Sequence, residues 1–118
     1  LVLAQRLEDR PLPADGEAFF RRLTEGVLEH LQDLNQVIEG IATDWPVEQM
    51  ALIDRNILRI AIYELTVDVR APVKVVINEA VELAKLFGSD SSRRFVNGVL
   101  GTLVSNLDLV PAGRGQTP

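Results

Sequence analysis

Arg93, Arg94 and Phe95 are adjacent, and their types suit contact with another molecule. They follow Ser89-Asp90-Ser91, a run of helix N-cap residues, so they fall in the first turn of a helix. Two cations near a helix N-terminus are mildly disfavoured by the positive end of the dipole. Free backbone N–H groups, two guanidiniums and an aromatic face suit an RNA backbone and a stacked base. The plainer reading puts Phe95 in the core and pairs both arginines with Asp90 or other carboxylates. On spacing alone the plainer reading is the commoner one.

Catalytic groups are few. The single histidine, His30, lies among Glu29, Gln32 and Asp33 and reads as a solvent-facing polar residue. It has no His or Cys partner for a metal, and Asp33 three residues on is not enough. Glu79 and Glu82 are three apart, as a catalytic pair can be, but solvated charges with Glu82 near Lys85 are the ordinary reading. There is no G-x-G-x-x-G, Walker or G-x-S-x-G sequence. With no cysteine, disulfides, thiolate metal sites and Cys nucleophiles are excluded. The expectation is a protein with no catalytic residue, no metal and no cofactor.

The elements that must position these residues are helical. Residues 1–10, LVLAQRLEDR, place Leu3 and Leu7 four apart, and Pro11 and Pro13 stop the segment. It reads as a helical fragment. Asp15 suits an N-cap for a long second helix. In it Phe19, Leu23, Val27, Leu31, Leu34, Ile38 and Ile41 recur at threes and fours as one stripe. Gly26 interrupts that stripe's helix and marks a close crossing. Asp44-Trp45-Pro46 opens the next element, with Pro46 at a first helical position and Glu48 in the first turn. Ile53, Ile57, Ile60, Ala61 and Leu65, widened by Leu58 and Ile62, predict a central helix buried on more than one side. Pro72 breaks the pattern. Val73, Ile77, Ala80, Ala84 and Phe87 follow, with Gly88 as the residue that ends the helix. Phe95, Val99 and Leu103 form the last stripe, beside Val96, Leu100 and Leu107. Gly98 and Gly101 lie on a narrower strip suited to close helix approach. The expected architecture is all-α: four main helices plus the N-terminal fragment in one domain, residues 1–110, with residues 111–118 as a disordered tail.

The net charge of −5 argues against nucleic acid when taken alone. It is uneven, however. Residues 1–50 hold ten acidic and four basic side chains, whereas residues 51–118 hold seven acidic and eight basic. An anion-binding surface belongs in the second half. No apolar run approaches the ~20 residues that span a bilayer, and no signal peptide is visible.

Three segments carry a resemblance. DRNILRIAIYEL at 54–65, PVKVVINEAVELAKLFG at 72–88 and SDSSRRFVNGVL at 89–100 occur in order with short spacers. Together they closely resemble the C-terminal half of NusB proteins, with INEAVELAK and RRFVNGVL the most specific parts. FFRRLTEGV at 19–27 is similar to the family's middle helix. The resemblance covers roughly 17–107 and implies two packed helical bundles without cofactor or catalysis. It implies binding of the boxA element of ribosomal RNA transcripts together with NusE, a small-subunit ribosomal protein, in an antitermination complex on RNA polymerase. That setting is cytoplasmic. The family includes monomers and homodimers.

Residue by residue, the family's second RNA-contacting patch falls on Arg93, Arg94 and Phe95, which raises the RNA reading above the plain one. Its NusE-binding surface includes the start of the LRIAIYEL helix, where Asp54 is the matching acidic position. A first-turn carboxylate also suits the helix dipole without any partner. Asn78, Glu79, Asn97 and Gly98 match family positions and read first as buried hydrogen bonds and close packing. The family's arginine-rich first helix has no counterpart here, since Arg6 and Arg10 lie amid Glu8 and Asp9. The expectation is therefore a chain lacking that N-terminal segment. Two alternatives stay open: a helical module that docks only on protein, and the NusB-like domain of a ribosomal RNA cytosine methyltransferase. The Gly/Pro-rich end of the chain ranks the latter last.

Overall fold

A computed structural model describes residues 14–43 and 46–107. The predicted helical fragment at 1–10, the Asp44-Trp45 pair and the tail at 111–118 lie outside the described residues; Asp15, expected as an N-cap, falls inside a helix that already includes Ala14. The described residues form five α-helices and one 3-10 turn. These are α1 (Ala14–Glu29), α2 (Leu31–Ile41), the turn Val47–Gln49, α3 (Leu52–Thr66), α4 (Val73–Phe87) and α5 (Ser92–Asn106). No strand occurs among them.

The fold is organised around α3. Ile57, Leu58, Ala61, Ile62, Tyr63 and Leu65 are all buried, and the helix packs on α1, α2, α4 and α5. That is the outcome expected of a stripe widened by Leu58 and Ile62. Leu34 and Ile38 of α2, Val76, Ala80 and Ala84 of α4, and Val96, Leu100 and Leu103 of α5 close the core. Burying each large aliphatic side chain is worth about 1.5–3 kcal/mol.

Two helix boundaries differ from the sequence reading. The long helix expected through Ile41 is broken at His30, whose φ of −106° and ψ of 17° leave the helical region. Backbone bonds continue across the break, from His30 N to Gly26 O and from Leu34 N to His30 O, so an unbroken apolar stripe survives a kink. The other departure is at Pro46. It precedes only a 3-10 turn, and α3 starts six residues later at Leu52. Met50, held extended at φ −75° and ψ 151°, separates the two and turns its buried side chain into the core.

The close crossing expected at Gly26 is real. A Cβ on Gly26 would run into the Oη and Cζ of Tyr63 from α3. His30 completes this joint: its ring lies 5.7 Å from that of Tyr63, and its Nδ1 is 2.9 Å from the Gly26 carbonyl. A carbonyl only accepts, so Nδ1 carries the proton. His30 is thus a half-buried brace at the kink, not the solvent-facing residue its neighbours suggest.

Gly88 and the last helix show a second use of glycine. Gly88 ends α4 in an extended conformation, φ −94° and ψ −171°, so no left-handed backbone requires it. What requires it is space, because Ser92 packs directly on its Cα. Gly98 and Gly101 meet nothing within 4 Å and are exposed, so the close helix approach expected of them does not occur among the described residues.

Charge is concentrated at the α3–α4 corner. Asp68 lies 2.7 Å from Arg70 and 3.9 Å from Arg22 of α1. The nearby Glu64 is half-buried, and its pKa is raised by desolvation first and then by the charges of Asp68 and Glu79.

Two outcomes follow. Gly26→Ala should destabilise the fold by about 1–3 kcal/mol in urea unfolding through overpacking against Tyr63, and Tyr63→Phe in that background should recover part of the loss. A gain of ~1 kcal/mol, the ordinary result for a helical glycine, would refute the contact. For Glu64, a raised folded pKa means that ionisation in the folded state costs stability as pH rises through that pKa. Glu64→Gln should therefore raise the melting temperature at neutral pH, and the gain should vanish below the ordinary glutamate range. A gain that is independent of pH would exclude this origin.

Candidate nucleic-acid and partner interface

The surface that carries Arg93 and Arg94 is built by the turn between α4 and α5. Ser91 stands at the N-cap of α5 but makes no side-chain capping bond. The expected Ser/Asp cap is replaced by Ser92, one residue inside the helix and fully buried. Its Oγ accepts the Ser89 N–H at 2.8 Å, while the Ser92 N–H donates to the Ser89 carbonyl at 3.1 Å. These reciprocal bonds clamp the chain as it enters α5. The next two residues, Arg93 and Arg94, are both exposed.

Neither guanidinium makes an ion pair with a described residue; the ion pairs found join Arg22 and Arg70 to Asp68. The plainer reading thus divides. Phe95 is half-buried and packs against the core, as that reading has it. The pairing of both arginines with Asp90 is absent. Asn97, four residues beyond Arg93, and Gly98, four beyond Arg94, are exposed on the same helix. Asn78 and Glu79 on α4 are exposed as well. All four were expected to be buried structural residues. Their sequence spacing held a signal against that: Ala80 and Val96 already supply the buried positions of those turns.

Asp54 lies in the first turn of α3, as the helix periodicity places it. It is 8 % exposed, and its Oδ1 has no hydrogen-bond partner among the described residues. This burial was not foreseen. A carboxylate in that setting is costly unless a cation or donor satisfies it. Beside it, the Arg55 guanidinium gives one bond, NH1 to the Val47 carbonyl at 3.3 Å, and its buried Nε has none. Arg59, one turn on, donates to Asn35 Oδ1 at 2.9 Å and to Asn56 Oδ1 at 3.0 Å. Burial, then the adjacent Arg55 charge, lowers its pKa. Asp54 and the Arg93–Arg94 pair stand on different helices, and no contact joins them.

On α1, Arg22 stacks over Phe19 with its guanidinium carbon 5.4 Å from the ring centre. No group of three or more His, Cys, Asp or Glu side chains suited to a metal ion occurs among the described residues. Glu82 and Lys85 are exposed and make no ion pair there. No helix of the described residues is long and apolar enough to cross a membrane.

The chain is 56 % identical over 106 residues to the transcription antitermination protein NusB of Roseiflexus sp., covering 88 % of this chain and 75 % of that one. It is 50 % identical over 107 residues to the protein of the same name from Herpetosiphon aurantiacus, with 88 % and 73 % covered. Among solved structures, T. maritima NusB superposes with a TM-score of 0.77 at 33 % identity, over 86 % of this chain and 73 % of that one. A structure of the antitermination factors NusB and NusE with double-stranded RNA gives 0.77 at 21 % identity, over 87 % and 76 %, and so shows likeness of fold. A model of the NusB family matches residues 1–105, and with these relatives it establishes that the chain belongs to the NusB family.

Proposed function

We propose that this chain is a transcription antitermination factor that binds the boxA RNA of ribosomal RNA transcripts together with NusE. It acts in the antitermination complex on RNA polymerase, in the cytoplasm, and catalyses no reaction. The observation that carries this reading is the 56 % identity to a protein named as a transcription antitermination protein. The described surface is compatible with it. The basic half of the chain presents Arg93 and Arg94 to solvent without ion pairs to any described residue, where they can neutralise phosphates. Phe95, half-buried beside them, supplies an aromatic side chain next to the two cations. Asn97 extends the strip by one turn and offers an amide for base edges or sugar hydroxyls.

For NusE, the feature that supports binding is Asp54. A basic side chain from the partner would satisfy its open Oδ1. The same feature, with the acidic first half of the sequence, also favours the second reading, a helical module that docks on protein and has no RNA affinity of its own. Titrating the chain with boxA RNA, with and without NusE, separates the two. Binding that strengthens with NusE supports the first, and no RNA binding in either case leaves the second.

The residues are tested individually. Arg93→Ala with Arg94→Ala should weaken boxA binding and flatten the log-affinity against log-salt line by about one unit per arginine, with the helical circular dichroism signal unchanged. An unaltered slope would remove these two residues from the interface. Asp54→Ala should leave the melting temperature nearly unchanged, because it removes an unpaired buried carboxylate. It should cost about 2 kcal/mol or more in NusE affinity by calorimetry. Undiminished affinity would mean that Asp54 only decorates the start of α3.

A further inference from the structure

A polar cavity of ≈ 230 Å³ lies between α2, the Val47–Gln49 turn and the first half of α3. Asn35, Gln36 and Glu39 line it from α2, Glu48 from the turn, and Arg55 and Arg59 from α3. The two arginines are one helical turn apart on the same face, and both are half-buried. Neither makes an ion pair with a described residue, although two glutamates share their cavity. Each glutamate is placed otherwise. Glu39 accepts the Val47 N–H at 3.0 Å through Oε2, and Glu48 is exposed to water. The guanidiniums also keep unused donors. Arg55 donates from Nη1 to the Val47 carbonyl at 3.3 Å, while its Nε is buried without an acceptor among the described residues. Arg59 donates from Nε to Asn35 and from Nη1 to Asn56, which leaves Nη2 without a bond to a described residue. Burial first, and then the Arg55 charge, act against the Arg59 cation. Two neighbouring cations with open donors are complementary to one anion.

We propose that this cavity binds a small free oxyanion, the phosphate or carboxylate group of a compact molecule, between the guanidiniums of Arg55 and Arg59. The chemistry fits because a guanidinium presents its donors as a planar fork, which matches the paired oxygens of either group. The size fits because the cavity falls below the ~300 Å³ at which pockets for drug-sized ligands begin. The surrounding charge selects among anions. Glu39 and Glu48 stand at the same walls, so a nucleic-acid strand would carry many phosphates past two carboxylates, whereas a small anion brings one group to two cations. The bound oxyanion would give the Arg55 Nε its missing acceptor. It would also join the helix that carries Arg55 and Arg59 to the amide side chains of α2, through which Asn35 already holds Arg59. This site is separate from the Arg93–Arg94 surface, which lies on α5.

Arginine Nε–H signals in a heteronuclear NMR spectrum report each guanidinium separately. The full chain would be titrated with inorganic phosphate and, in a separate arm, with malonate, at an ionic strength held constant with chloride. The Arg55 and Arg59 signals should shift along a saturable curve, and the arm that saturates at the lower concentration identifies the preferred oxyanion. Shifts confined to Arg93 and Arg94, or shifts that never saturate, would overturn the proposal. So would Arg55 and Arg59 signals that answer to boxA RNA and to neither small anion, since the pair would then belong to the transcript. Two variants extend the test. Arg55→Gln should weaken the anion by about tenfold or more, as expected for loss of a charge-assisted hydrogen bond. Glu48→Gln changes an exposed side chain and should tighten the anion several-fold by removing like charge from the cavity wall. Its outcome does not depend on whether the Arg55 variant folds. Unchanged affinity in either folded variant would place the anion elsewhere.

Discussion

The packing of α3 against four other helices is the constraint from which the remaining architecture follows. A helix with apolar positions around most of its circumference keeps only a narrow face for charge, here Arg55, Arg59 and Glu64, all half-buried. The four other helices must therefore supply its surroundings, and each becomes amphipathic with its polar side outward. The one side chain of α3 that crosses this layer with a hydroxyl is Tyr63, and it is accommodated where α1 has no side chain at all. The kink at His30 belongs to the same packing problem. By bending there, α1 and α2 both pack on α3, while the backbone N–H and the ring Nδ1 of His30 both bond the Gly26 carbonyl.

Much of this was legible in the residues, and the reason is periodicity. Ile57, Leu58, Ala61, Ile62 and Leu65 recur at helical spacings over more than one face, which predicts the buried helix that is found. What was not legible depends on contacts between distant positions. The break at His30 leaves the spacing of Leu31, Leu34 and Ile38 unchanged, so an apolar stripe cannot reveal it. The 3-10 turn after Pro46 has the local chemistry of a helix start, and only the extended Met50 ends it. Glycine was the least readable residue. The same residue type serves a side-chain crossing at Gly26, a serine at Gly88 and nothing within reach at Gly98 and Gly101.

The candidate interface was legible in identity more than in geometry. Arg93 and Arg94 were singled out by type and position, and their exposure agrees with that choice. Asp54 was singled out by family likeness, but its burial and open oxygen arise from how the start of α3 meets the rest of the bundle. Asn78, Glu79, Asn97 and Gly98 were misjudged for a shared reason. A residue type that fits a buried hydrogen bond or a tight crossing fits an exposed surface equally well, and only the facing of the helix decides between them.

The clamp around Ser92 has a kinetic meaning for whatever meets this end of the molecule. Because the backbone entering α5 is held from both directions, the two guanidiniums project from main chain that is already ordered. Little ordering of main chain remains to be done at the encounter. Capture can then be governed by long-range attraction, which ions in solution dampen, while the residence time is set by how well the short-range contacts fit. The hydroxyl of one buried serine would in this way separate the speed of arrival from the duration of the stay.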